Sequence, residues 1–131
     1  MKAIYIQSTQ DTPQVTLDIQ KGIFEIKGNS YPENSAQFYN PIVEWLQELL
    51  ASDFNKKIVF DFNFDYFNTS SAKFILEILR ILEEFQEKSV ETMVRWHYFE
   101  DDIDILESGE DYKGIVSIPF ELVSRDDTLD M

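Results

Sequence analysis

The sequence has no cysteine, one histidine, four glycines and four prolines in 131 residues. Without cysteine there can be no disulfide and no thiol nucleophile, and nothing indicates the redox compartment. The four glycines stand apart, so no Gly-rich loop is available to cradle a phosphate. Basic residues are also scarce: 11 Lys and Arg face 25 Asp and Glu, a formal net charge of −14. That balance argues against binding nucleic acid or an anionic membrane through bulk electrostatics, and it suits a partner with a basic or neutral surface. No run approaches the length of a transmembrane helix, and MKAIYIQSTQDT has too short an apolar stretch for a signal peptide. A cytoplasmic protein is expected.

What the sequence does contain is apolar and aromatic: 44% hydrophobic residues, 15% aromatic, eleven of them phenylalanine. That is a globular composition, and 131 residues suit one domain, 1–131, with a tail frayed from about residue 122. AIYIQ reads as a short strand. VTLDIQKGIFEIKG reads as two alternating segments joined near Lys21-Gly22, a hairpin with Val15, Leu17 and Ile19 on one face and Phe24 and Ile26 on the partner's. The polar loop SYPENS follows. Then Phe38, Ile42, Trp45, Leu46 and Leu49 recur at helical spacing from about residue 35. Pro41 either perturbs the first turns of that helix or marks its start, with Asn40 as cap.

KKIVFDFNFDYF alternates as a half-buried strand, with Ile58, Phe60, Phe62, Phe64 and Tyr66 on one face and Asp61, Asn63 and Asp65 on the other. AKFILEILRILEEFQE follows as a helix burying Phe74, Ile75, Ile78, Ile81, Leu82 and Phe85, and Leu76 falls on its far side as a candidate contact. VETMVRWHYF alternates again, setting Val94, Trp96 and Tyr98 opposite Arg95 and His97. The acidic stretch EDDIDILESGEDY suggests a short helix ending near Gly109, and IVSIPFELV a last strand at a sheet edge because of Pro119. The order is β-β-β-α-β-α-β-α-β, with helices mainly on one face of a mixed sheet and the other face wet.

Few groups here can do chemistry. His97 is placed on the wet face, where pairing with Asp61 or Asp65 is a more ordinary role than a Ser-His-Asp site. The acidic run fails the EF-hand pattern, with Glu107 where glycine is required. No catalytic, metal or cofactor site is read. The strand-to-helix junction YFNTSSAK is different. Asn68, Thr69, Ser70 and Ser71 supply more capping groups than a helix needs. A phosphate on one of the hydroxyls would sit beside the positive end of a helix dipole, with Lys73 one turn away.

Three stretches together, GNSYPENSAQFYNPIVEW, YFNTSSAKFILEIL and VRWHYFEDDID, resemble the SiaC family of bacterial regulatory phosphoproteins, a resemblance that weakens only in the last fifteen or so residues. The family is similar to anti-sigma-factor antagonists, so the resemblance implies a STAS-like (SpoIIAA-like) α/β fold. It also implies that Thr69 is the phosphoacceptor, in a neighbourhood of Asn68, Ser70, Ser71 and Lys73. The implied partners are a serine/threonine kinase of the histidine-kinase-like ATPase type, a PP2C-like phosphatase and a GGDEF diguanylate cyclase. The unphosphorylated form would activate the cyclase, raising cyclic di-GMP and promoting biofilm formation. Ser30, Tyr31, Pro32, Glu33 and Asn34 of the SYPENS loop, with Leu76, are the candidate recognition residues, although Asn34 or Ser35 can equally be a plain helix cap. The competing expectations are a switch of the anti-sigma-factor-antagonist type with another partner, a constitutive scaffold without phosphoregulation, and an enzyme using His97 or the carboxylates.

Overall fold

The alternating run around Lys21-Gly22 closes as an antiparallel hairpin. In the computed structural model, which describes residues 1–125, β2 (Gln14–Asp18) pairs with β3 (Ile23–Ser30), and Gly22 takes a positive φ of 69° in the turn. Glycine adopts that backbone region without the steric cost a Cβ would bring. β1 (Ile4–Ile6) adds antiparallel to β2. From β3 onward a helix precedes each new strand: α1 (Ser35–Ala51), β4 (Ile58–Phe67), α2 (Thr69–Glu87), β5 (Thr92–Phe99), α3 (Ile103–Ile115) and β6 (Phe120–Arg125). The element order is the one the periodicities predict.

Six strands lie side by side in sequence order, and β3 to β6 are parallel. Their crossovers therefore step across the sheet in one direction. Such connections are right-handed almost without exception, which puts all the helices on the same face. Burial follows this rule. Val15, Leu17, Phe24, Ile26, Phe60, Phe62, Val94 and Trp96 join one core with Ile42, Leu46, Ile75, Ile78, Leu82 and Ile105 from the helices. The opposite face carries Lys27, Asp61, Asp65, Arg95, His97 and Glu121. Among the described residues, no helix is long and apolar enough to cross a membrane.

Four local expectations are corrected, each for a physical reason. First, β3 and β4 slip register: Gly28, at φ 121°, faces Phe64, whereas Asn29 faces Tyr66, and Asp65 is the extra residue. One inserted residue reverses the facing of those beyond it. Tyr66, expected on the core face, therefore projects outward at 53% exposure, and Phe67 turns in against Phe64. Second, α3 continues past Gly109 to Ile115. Gly109 provides space rather than a stop, since a Cβ there would lie 2.4 Å from Cδ1 of Trp96. Third, α2 also buries Leu79, because α2 packs beside α1 and is tied to α3, where the Tyr112 hydroxyl donates to the Ala72 carbonyl at 3.0 Å. Fourth, residues 122–125 are not frayed: they pair with β5 from Trp96↔Leu122 to Phe99↔Arg125. The rest of the expected tail lies outside the described residues. Pro41 sits within α1 on its exposed side, and the cap is Asn34, not Asn40.

Candidate functional site

Parallel neighbouring strands deliver their following helices to the same end of the sheet, so α1 and α2 begin side by side. Each is capped by an asparagine. The Asn34 side chain accepts from the Gln37 N–H at 3.1 Å, and the Asn68 side chain accepts from the Ser71 N–H at 2.9 Å. Neither helix has an acidic residue in its first turn. The positive ends of both dipoles therefore meet with no negative charge in the first turn of either helix to offset them, Glu33 standing before the Asn34 cap.

Beneath the surface, hydroxyls fasten the two helices to β3. Ser30 Oγ lies 2.6 Å from the Tyr39 hydroxyl and 2.8 Å from Ser71 Oγ, and all three residues are fully buried. The Ser71 hydroxyl is also 3.1 Å from the Ser30 carbonyl, which accepts the Asn68 N–H at 2.9 Å. Burial pushes the Tyr39 phenol up to about 12 against the opposing pull of the Ser30 and Ser71 hydroxyls. Nearer the surface, Ser35 Oγ and Ser70 Oγ are 2.5 Å apart, and the Ser70 hydroxyl donates to the Asn68 side chain at 3.1 Å.

The hydroxyls of Thr69, Ser70 and Ser71 are thus inequivalent. Ser71 is buried, and Ser70 is exposed but engaged with Ser35 and Asn68. Thr69 is exposed, and its hydroxyl makes no hydrogen bond among the described residues. Lys73 is exposed one turn further on.

The recognition candidates divide. Tyr31, Glu33 and Asn34 are exposed, while Pro32 is buried beside a shallow cleft of about 400 Å³ that Asp11, Glu33 and Phe38 also line. Ser30 is corrected: fully buried, it offers a partner no surface. Leu76 is half-buried on α2. Sequence reasoning misses Tyr66, which the slip at Asp65 brings against Tyr31 with ring centroids 5.9 Å apart, edge to face. The available signal was Gly28 inside a strand pattern, a common mark of a bulge.

On the open sheet face, His97 Nε2 lies 2.7 Å from Asp61 Oδ1, and Arg95 approaches Glu121 at 3.8 Å. The described clefts at Asp11–Phe38, Tyr5–Thr16, Phe67–Ile115 and Gln86–Glu91 do not include His97. No trio of potential metal ligands gathers among the described residues.

Comparison with known proteins gives a consistent result. Residues 6–125 match the family model described as SiaC family regulatory phosphoprotein. A protein of Pseudomonas aeruginosa (strain UCBPP-PA14), described as uncharacterized, is 33% identical over 127 residues, covering 97% of this chain and 100% of the relative. The solved structure of SiaC of Pseudomonas aeruginosa superposes with a TM-score of 0.87 at 33% identity, over 95% of this chain and 100% of that one. One chain of the crystal structure of the diguanylate cyclase SiaD in complex with its activator SiaC, from the same organism, matches with a TM-score of 0.87 at 33% identity, over 93% of this chain and 99% of that one.

Proposed function

We propose, on the premise that this chain belongs to the SiaC family of regulatory phosphoproteins, that it is a partner switch thrown by phosphorylation of Thr69. The observation that carries this reading is the inequivalence of the junction hydroxyls: Thr69 alone is both exposed and unengaged among the described residues. A serine/threonine kinase of the histidine-kinase-like ATPase type forms the bond from the threonine oxygen to the γ-phosphorus of ATP. ADP leaves, and the hydroxyl proton passes to the kinase. A PP2C-like phosphatase hydrolyses the ester and resets the switch.

The unphosphorylated form binds and activates a diguanylate cyclase. SiaC of Pseudomonas aeruginosa is the activator of the cyclase SiaD, and this chain matches one chain of the structure of that complex along nearly its whole length. The docking surface is centred on Thr69 and takes in Tyr31, Glu33, Asn34 and the outward-turned Tyr66, with Leu76 at its margin. Tyrosines are favoured anchors in such interfaces. A phosphate adds about −1.5 to −2 charges, and burying it in the interface costs several kcal/mol. A change of ~3 kcal/mol already weakens binding more than a hundredfold.

In this reading the protein performs no catalysis of its own and works in the cytoplasm as one domain. Its fold is read as STAS-like, on the support of a modifiable hydroxyl at a strand-to-helix junction. The test is a reconstituted cyclase assay. The unphosphorylated protein should raise cyclic di-GMP synthesis, incubation with kinase and ATP should abolish that effect, and Thr69→Ala should resist the kinase. Equal activation by both forms, or phosphate mapped to Ser70, would overturn the reading.

A further inference from the structure

We infer that Ser35, at the start of α1, belongs to the seat that receives the Thr69 phosphate, so that a mark placed on α2 is read by α1. The inference rests on the reading of Thr69 as phosphoacceptor. Its basis is a directional chain of hydroxyls running between the two helices.

Two protons are available to the Ser35 and Ser70 hydroxyls. The Ser70 proton goes to the Asn68 side-chain oxygen at 3.1 Å. In the 2.5 Å contact between the two serines, Ser35 must then donate to Ser70. The chain reads Ser35 to Ser70 to Asn68, and it ends on an oxygen that also accepts the Ser71 N–H at 2.9 Å. That end point is a neutral amide carrying two donors.

A phosphate dianion on Thr69 stands between Asn68 and Ser70 in the chain and is a stronger acceptor. Hydrogen bonds to ionised groups are roughly twice as strong as neutral ones. The Ser70 hydroxyl therefore turns from Asn68 to the phosphate. Ser35 stays with it: it is 93% buried, so water is a poor substitute partner, and it goes on donating to the Ser70 oxygen, its only side-chain partner among the described residues, holding that hydroxyl in place for the phosphate. No acidic residue in the first turn of α1 or α2 opposes the incoming charge, and Lys73 lies within a turn of it on α2. By contrast, the deeper set of Ser30, Ser71 and Tyr39 is closed on itself and buried, with no proton to present at the surface.

Ser35 immediately follows the Asn34 cap, so a charge felt through this chain is felt at the end of the SYPENS loop that flanks the docking surface.

The test installs phosphothreonine at position 69 during translation, so it does not depend on whether any kinase accepts Thr69. Phosphorus NMR titration and amide chemical shifts are recorded for the phosphorylated and unmodified proteins, for Ser35→Ala, and for Ser35→Thr, which keeps a hydroxyl. With Ser35 present, the second phosphate pKa should lie about half a unit lower than in Ser35→Ala, a roughly threefold weaker proton affinity. Amides 34–37 should shift on phosphorylation, and Ser35→Thr should restore both effects. If Ser35→Ala fails to fold, Ser70→Ala breaks the same chain from the exposed side. Identical phosphate titrations with and without the hydroxyl, or amides 34–37 that do not move, would overturn the inference.

Discussion

The starts of α2 and α3 share one construction and carry opposite charge. In each, a short polar side chain at the cap accepts the N–H three residues on: Asn68 takes that of Ser71 at 2.9 Å, and Asp102 takes that of Ile105 at 3.1 Å. In each, the next residue is exposed, Thr69 in one and Ile103 in the other. At α3 the cap is a carboxylate and Asp104 follows in the first turn, so the dipole is already offset. At α2 the cap is neutral, the first turn has no acid, and α1 brings a second neutral-capped end alongside. A helix that has its negative charge built in gains little from a phosphate. One left without it gains a favourable site for a charge that can be added and removed.

Swapping charge between the two ends tests this contrast. The largest effect should come from phosphate itself. At Thr69 it should lower affinity for the cyclase more than a hundredfold, or ~3 kcal/mol, by calorimetry. Phosphothreonine installed at position 103 should change affinity less than about threefold. If the two positions behave alike, bulk charge rather than the junction is responsible.

Next comes the buried support beneath Thr69. Burial holds the Tyr39 phenol at about 12, above its ordinary value of 10.0. A raised phenol means that the unfolded chain gives up its proton first. The associated stability is therefore complete below pH ~10 and is lost as the pH rises towards ~12, by an amount on the order of 2–3 kcal/mol. Denaturant melts across that range should show the loss, and Tyr39→Phe should remove its share.

Ser71→Ala should cost roughly 1–3 kcal/mol in urea unfolding, because Ser30 is left short of a partner where water does not reach. The smallest effects are the cap exchanges. Asn68→Asp should stabilise the unphosphorylated protein by about 0.3–1 kcal/mol, and Asp102→Asn should cost a similar amount, both read from thermal melts. Asn68→Asp should also reduce the shift in melting temperature that phosphorylation brings. A cap exchange with the same sign at both ends would break the comparison.

Much of this was legible from short windows of sequence. Alternation and helical spacing predicted every element in order, because each must bury one face against a common core. The sequential parallel strands then made one-sided helices a consequence of crossover handedness. What escaped were positions whose environment comes from another segment. Tyr66 follows the alternation of its own strand perfectly, and its facing is reversed by pairing with Gly28 and Asn29 some forty residues earlier. Gly109 looked like a helix stop because the indole it accommodates belongs to β5. The NTSS run marked the junction, yet nothing local separates its hydroxyls: Ser71 is claimed by Ser30 and Ser70 by Ser35, at sequence separations of 41 and 35.

The residues in order were therefore enough to say that a helix begins in the NTSS run and that its start is rich in hydroxyls. Capping and periodicity act over a few residues, so they survive in a linear reading. Which hydroxyl stays free, and that Ser35 and Tyr66 stand beside it, depended on two parallel strands delivering distant segments to one end of the sheet. Such contacts are set by register and burial, and those exist only once the chain has folded.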